Sequence, residues 1–362
     1  MPENYPIAYY ISSHGYGHGV RSCDIIRALH EIRPDLRICI VTCLPDTFLR
    51  NRLGPGPYSF RSASFDVGMV QSDSIRVDVP ATLLQIEAIY GHRKELVTGE
   101  EAFLRMHGVR AILVDIPAIP LEAAARAGCR RIAVGNFGWN WIYSAFVGGE
   151  RRWEPIIQAI EEGYRRSEIL LRLPFSEAMS VFPNVEQIGV VASPGRIRRS
   201  EIAALTGARE DLPWVLISFT SLQWNDEALD RVEQCSGYEF FTVLPLSWRR
   251  AKIHPIDRER VPFTDVIASV DAVVSKPGFG VISECVVNRK PLVYADREDF
   301  LEYGVLLEAI RKYLRHVHIP AECLYRGDLA EALKRLESAT QPTQSPPLGG
   351  ARQAARRILE FM

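Results

Sequence analysis

No two cysteines in this chain have the C-x-x-C spacing of a redox or zinc motif, and their number, seven, is odd. A disulfide framework is therefore not the basis of the fold. Cys39, Cys43, Cys129 and Cys285 fall in apolar stretches and are expected to be small, reduced core residues. His316 and His318 have the spacing of one strand face, but no cysteine or carboxylate pattern beside them completes a zinc set, and no metal site is expected. Charge of one sign is also missing: 43 Lys and Arg stand against 44 Asp and Glu, a net charge of -1. Nothing draws the chain to a polyanion, so nucleic acid is disfavoured as a partner. The opening M-P-E-N-Y-P has no basic segment followed by an apolar one, and no later apolar run approaches the roughly 18 residues of a spanning helix. No transmembrane segment is expected, and the expected location is the cytoplasm. There is no D-x-D, the acidic pair that brings a divalent metal to a diphosphate. Any diphosphate here would have to be neutralised by a helix dipole and backbone N–H groups instead.

What is present is a repeated order of strand, glycine turn and helix. At 362 residues the chain is long enough for two domains, although no internal sequence repeat is visible. The most informative stretch begins V-V-S-K-P-G-F-G-V-I-S-E at Val273. Residues 272–275 have strand length, Pro277 to Gly280 form a turn, 281–288 have helical spacing, and 292–295 resume a strand. Gly278 and Gly280 let backbone approach a ligand, and the first helical turn, with Val281 and Ser283, offers unpaired N–H groups and the positive dipole end. An anion such as a diphosphate fits there, and Glu284, a turn further in, is placed to accept hydrogen bonds from ribose hydroxyls. An ordinary βαβ unit with a dipole-favoured glutamate accounts for the glycines alone equally well.

The same order appears at the start. Residues 7–12 read as a strand, S-H-G-Y-G-H-G as a loop, and 20–32 as a helix, with the next strand at 36–43. Strands alternating with helices imply a parallel sheet covered on both faces, whose ligands bind at the strand carboxyl ends. His14 and His18 lie in that loop, either as turn residues that titrate or as site residues. V-R-A-I-L-V-D ends at Asp115, an aspartate that serves equally as a helix N-cap. Asn136 to Tyr143 (N-F-G-W-N-W-I-Y) holds four aromatics, which suit a sugar-like acceptor or an aromatic core. Residues 59–98 are poorly defined, with a strand at 60–64 and a helix at 80–95 as the expectation. Residues 193–199 have linker composition, and 351–361 form a basic amphipathic helix.

Taken together, G-F-G-V-I-S-E, K-P-L-V-Y, R-E-D-F, the loop S-H-G-Y-G-H-G-V-R-S and N-F-x-W-x-x-I-Y resemble the GT-B glycosyltransferases. The bacterial N-acetylglucosaminyltransferases that form lipid II and the N-terminal half of plant L-arabinokinases are the nearest in pattern. The resemblance implies an α/β fold of two Rossmann-like domains with a cleft between them: an acceptor domain at 1–194, a nucleotide-sugar domain at 195–345, and a helix at 346–362 crossing back to the first domain. It implies that the glycine turn faces the diphosphate of a UDP-sugar, that Glu284 holds its ribose, that Arg297, Glu298 and Asp299 face the sugar, and that Phe263 and its neighbours contact uracil. The family's glycine-serine loop reads S-F-T-S-L-Q here, which leaves Thr220 and Ser221 as the phosphate contacts from that strand. His18, ending the glycine loop, is the expected catalytic base and Asp115 its orienting partner, while His14, Gly15, Gly17, Asn136 and Trp139 are expected at the acceptor. The implied activity is metal-independent, inverting transfer from a UDP-sugar to an unidentified small-molecule or lipid-linked acceptor, with no cofactor. A UDP-sugar 2-epimerase of the same fold and a non-catalytic sugar-nucleotide module are the alternatives.

Overall fold

The computed structural model describes residues 4–71, 77–297 and 301–362. They divide into two compact units, the first built from 4–70, 78–192 and 347–362, the second from 193–297 and 301–346 together with residues 71 and 77. In chain order the first runs β1 (Ile7–Ile11), α1 (Tyr16–Ile32), β2 (Ile38–Val41), α2 (Asp46–Leu53), β3 (Tyr58–Arg61), α3 (Val79–Gly91), α4 (Arg93–Met106) and β4 (Ala111–Asp115). It continues through α5 (Ile119–Ala127), β5 (Arg130–Gly135), α6 (Trp139–Ser144), α7 (Trp153–Tyr164), β6 (Ile169–Arg172) and β7 (Val185–Gln187). The second begins α8 (Arg199–Thr206), β8 (Trp214–Ser218), α9 (Asp226–Glu233), β9 (Glu239–Val243), β10 (Ile253–Ile256), α10 (Phe263–Ser269), β11 (Ala272–Ser275) and α11 (Phe279–Val287). It ends β12 (Leu292–Ala295), α12 (Tyr303–Tyr313), β13 (His316–Ile319), α13 (Ala321–Arg326) and α14 (Ala330–Ser338), and α15 (Gly350–Phe361) then returns to the first unit.

Among the described residues the first sheet has the order β3-β2-β1-β4-β5-β6-β7 and the second β10-β9-β8-β11-β12-β13, with parallel pairing throughout. The cause is legible in the strands themselves: β1 (I-A-Y-Y-I) and β4 (A-I-L-V-D) are buried at every position, as strands with helices on both faces must be. Ile7, Tyr9 and Ile11 pack with Ile25, Ile26 and Leu29 of α1 in the first core, and Ala354, Ala355 and Ile358 of α15 close over the same cluster. Val215, Ile217, Val274 and Val293 form the corresponding centre of the second core.

Each sheet reverses its strand order once, between β1 and β4 in the first and between β8 and β11 in the second. Loops leaving two such strands diverge to opposite sides and open a crevice at their carboxyl ends. Ile11 pairs with Asp115 at one reversal, and Ser275 with Ser218 at the other.

Several boundaries differ from those the sequence suggests. α1 starts at Tyr16 rather than Val20, so Gly17, His18 and Gly19 are helical. The glycine at 19 is a packing feature: a Cβ there would stand 2.6 Å from Leu44 Cδ1 and 2.8 Å from Phe48 Cε1. α11 likewise starts two residues early, at Phe279. The helix expected over 80–95 is two helices, the first capped by Asp78, whose carboxylate accepts from the Ala81 N–H at 2.9 Å. Cys39, Cys129 and Cys285 are buried, but Cys43 is exposed, because it follows β2 into a loop at the strand's carboxyl end.

Candidate functional site

In the first unit, the first turn of α1 carries His18 back over the end of β4. Its Nδ1 lies 2.7 Å from Asp115 Oδ1, with the histidine 5% and the aspartate 0% exposed. A carboxylate accepts, so this contact calls for a proton on Nδ1, the tautomer in which a neutral ring has Nε2 as its basic nitrogen. Arg21, one turn along the same helix face, donates from Nε to Asp115 Oδ2 at 2.6 Å and from Nη2 to Oδ1. Ser22 Oγ adds a bond to Oδ2 at 3.1 Å. Burial alone pushes the Asp115 carboxyl up, but the charges of Arg21 and His18, with the hydrogen bonds from both, hold it down at about 2.

Asn136 accepts from Arg21 Nη1 at 2.6 Å and donates to the Pro174 carbonyl at 2.6 Å, so it braces Arg21. Trp139 is 2% exposed, its indole N–H donates to Asp66 Oδ2 at 2.9 Å, and its backbone N–H donates to the Tyr164 hydroxyl at 3.1 Å. The Tyr164 hydroxyl in turn donates to the Ile116 carbonyl at 2.9 Å, beside Asp115. Asn136 and Trp139, two of the five residues expected at the acceptor, thus have their polar edges engaged within the first unit. His14 accepts the Met69 N–H on Nδ1 at 3.1 Å and stands edge-on to Trp139, with ring centroids 5.3 Å apart. Gly15 caps α1, and Gly17 is exposed in its first turn.

Two residues of this cluster carry weaker sequence signals. Arg21 is visible only as the third residue after His18 on one helix face. Asp66 sits in the irregular segment after β3, where no periodicity exists and F-D-V-G is the sole hint. The Tyr143 hydroxyl and the Gly68 carbonyl join that segment to α6 at 2.9 Å. Gly68 has a φ of +72°, and a Cβ on it would fall 2.3 Å from His14 Cβ, so only glycine allows this approach.

In the second unit, Gly278 is the N-cap of α11, in extended backbone where a Cβ would meet only Val281 Cγ1, at 4.0 Å. Gly280, Val281 and Ser283 lie in the opening turns, with no acidic residue in the first, so the helix terminus keeps its positive character. Glu284 follows on the same helix, 3% exposed. Thr220 and Ser221 are exposed just past β8, the strand that neighbours β11. Phe263 opens α10 with the Arg258 guanidinium 5.7 Å from its ring centroid. Arg297 donates from Nη1 to the Pro277 carbonyl at 3.0 Å and lies 3.7 Å from Glu302, tying the end of β12 to the glycine turn. Burial draws its guanidinium down to about 10 against the pull of Glu302. Glu298 and Asp299 lie outside the described residues. His318 bonds Asp296 at 2.7 Å, and among the described residues no three His, Cys, Asp or Glu side chains gather as a metal set.

No family model matches the chain. An L-arabinokinase of Arabidopsis thaliana is 28% identical over 371 residues, covering 98% of this chain and 34% of the relative, so the chain spans about a third of that protein's length. Among solved structures, UGT89C1 of Arabidopsis thaliana with quercetin superposes with a TM-score of 0.64 at 14% identity, covering 98% of each chain. A Polygonum tinctorium UDP-glucosyltransferase able to glucosylate indoxyl gives 0.62 at 14%, covering 100% of this chain and 99% of that one. CalG4, the calicheamicin glycosyltransferase, gives 0.60 at 14%, covering 99% and 94%. At such identities the likeness is one of fold.

Proposed function

We propose, from the GT-B glycosyltransferase fold that this chain has, that it moves a sugar from a UDP-sugar to an acceptor hydroxyl with inversion and without a divalent metal. The observation that carries the proposal is the His18 to Asp115 contact, 2.7 Å long and buried at the strand-order reversal of the first sheet. Asp115 fixes the tautomer, which directs Nε2 to take the acceptor proton. The acceptor oxygen then bonds to the anomeric carbon as the bond to the diphosphate breaks, its electron pair leaving with UDP. Inversion follows from one displacement with one base.

The donor side belongs to the second unit. The α11 terminus and the exposed Thr220 and Ser221 supply donors for the diphosphate, and Glu284 accepts the ribose hydroxyls. Arg297 holds the turn in place through the Pro277 carbonyl.

The test is a screen of nucleotide sugars by thermal shift, followed by turnover with candidate acceptors. UDP and at least one UDP-sugar should raise the melting temperature. His18→Ala should keep UDP binding while its rate falls by about 10²–10⁴. UDP binding with no transfer to any acceptor in an extract favours a binding module, and failure to bind any uridine nucleotide removes the proposal.

A further inference from the structure

The charges around His18 are not those of a simple histidine–aspartate pair. Arg21 spans both oxygens of Asp115, and a buried guanidinium stays charged. The negative charge of Asp115 is therefore matched before His18 takes a proton. Protonation carries the three residues from neutral to +1, whereas a lone pair would go from -1 to neutral. Arg21 Nη2 also stands 2.9 Å from His18 Nδ1, so the cation faces the ring itself. In a buried site this opposes the imidazolium that a general base must become.

A second carboxylate is present to offset it. Asp66 is 7% exposed and is bonded by the indole N–H of Trp139, whose ring centroid is 6.3 Å from that of His18. No lysine or arginine among the described residues forms an ion pair with it. The segment that carries it is pinned on three sides, by the Tyr143 hydroxyl on the Gly68 carbonyl, by the Met69 N–H on His14, and by the Val70 N–H on Thr82 Oγ1 at 3.0 Å. Among the described residues, the charged and titratable groups related to His18 are Arg21 from its own helix, Asp115 from β4, His14 from the loop after β1 and Asp66 from the segment after β3. Phe137 and Trp139 also border it and are uncharged.

We propose that Asp66 is the carboxylate that stabilises the positive charge on His18 when it takes a proton, while Asp115, held by Arg21, fixes the ring's tautomer and direction. Burial pushes the Asp66 carboxyl up, and the Trp139 N–H and the charge on His18 draw it back, so the two groups are electrostatically linked. The role as a base rests on the glycosyltransferase reading, but the charge relation does not.

The experiment is a ¹⁵N-histidine NMR titration of the full chain, free of donor and acceptor. Asp66→Asn keeps an acceptor for the Trp139 indole and should lower the His18 midpoint. Trp139→Phe keeps the carboxylate and should leave the midpoint nearly in place. In the wild-type chain the Asp66 carboxyl ¹³C resonance should move as His18 protonates, a readout that needs no variant to fold. An unchanged midpoint in Asp66→Asn, an equal shift in Trp139→Phe, or an Asp66 resonance that ignores His18 overturns the proposal. Absence of transfer from every UDP-sugar would defeat the glycosyltransferase reading and leave the titration result standing.

Discussion

Asp115 bonds His18, Asp66 bonds the Trp139 whose ring lies beside it, and the fold shifts the two carboxyls in opposite directions. Asp115 is held at about 2, below the ordinary carboxylate value of 3.8. Its ionised form therefore stabilises the fold above the unfolded value, and that contribution, ~2 kcal/mol, is lost as pH falls through the folded one. Asp66 is shifted upward, first by burial. Its stabilising form is the protonated one, present below the ordinary value and lost as pH rises through the raised one, so at neutral pH its charge costs stability. Thermal unfolding of the two amide variants across pH should separate them. Asp115→Asn should lose about 3–5 kcal/mol at pH 7, since it leaves the Arg21 charge buried without its partner. Asp66→Asn should melt above wild type at pH 7, with the gain shrinking as pH is lowered. A destabilised Asp66→Asn at neutral pH would mean the carboxylate is structural rather than strained.

At the scale of elements, sequence reasoning finds strands well and glycine-rich helix starts poorly. β1, β4, β11 and β12 are unbroken apolar runs bounded by turn residues, and each falls where that pattern puts it. α1 and α11 begin early because glycine has a poor helix propensity, yet Gly17, Gly19 and Gly280 are tolerated where packing or an open terminus outweighs it. Asp66 was hidden for the opposite reason: the segment after β3 has no period at all, and what orders it is contact with Tyr143, His14 and Thr82, distant in sequence. Gly163 tests how closely such elements are fitted. It lies in α7, where a Cβ would stand 2.8 Å from the Ala118 carbonyl oxygen and 2.9 Å from Ala118 Cβ, next to the Tyr164 that bonds Ile116 and Trp139. Gly163→Ala gains about 1 kcal/mol of helix propensity, but the backbone it meets must shift, at about 1–3 kcal/mol. Urea unfolding should show a net loss. A variant as stable as wild type would mean that α7 can withdraw from Ala118 without consequence.

For the molecule as a whole, the two units repeat one layout, a parallel sheet that reverses its strand order once and sets a glycine-led helix at the reversal. That much follows from the alternation of strands and helices. What each helix start presents follows from its neighbours, a histidine on a carboxylate in one unit and an open N-terminus in the other. If the second is the diphosphate site, the anion meets the α11 terminus and backbone donors, and UDP affinity should hardly differ between chelator and added magnesium. Hydrogen exchange with UDP should then slow amides at 278–284 in both media. Glu284→Ala should weaken binding by about 1.5–3 kcal/mol, the value of a hydrogen bond to a charged acceptor. Calorimetry in which chelator lowers affinity about tenfold and magnesium restores it would show that helix terminus and backbone do not suffice for the diphosphate. An unchanged affinity in Glu284→Ala would instead separate the ribose from this helix and leave the anion site to the glycine turn alone.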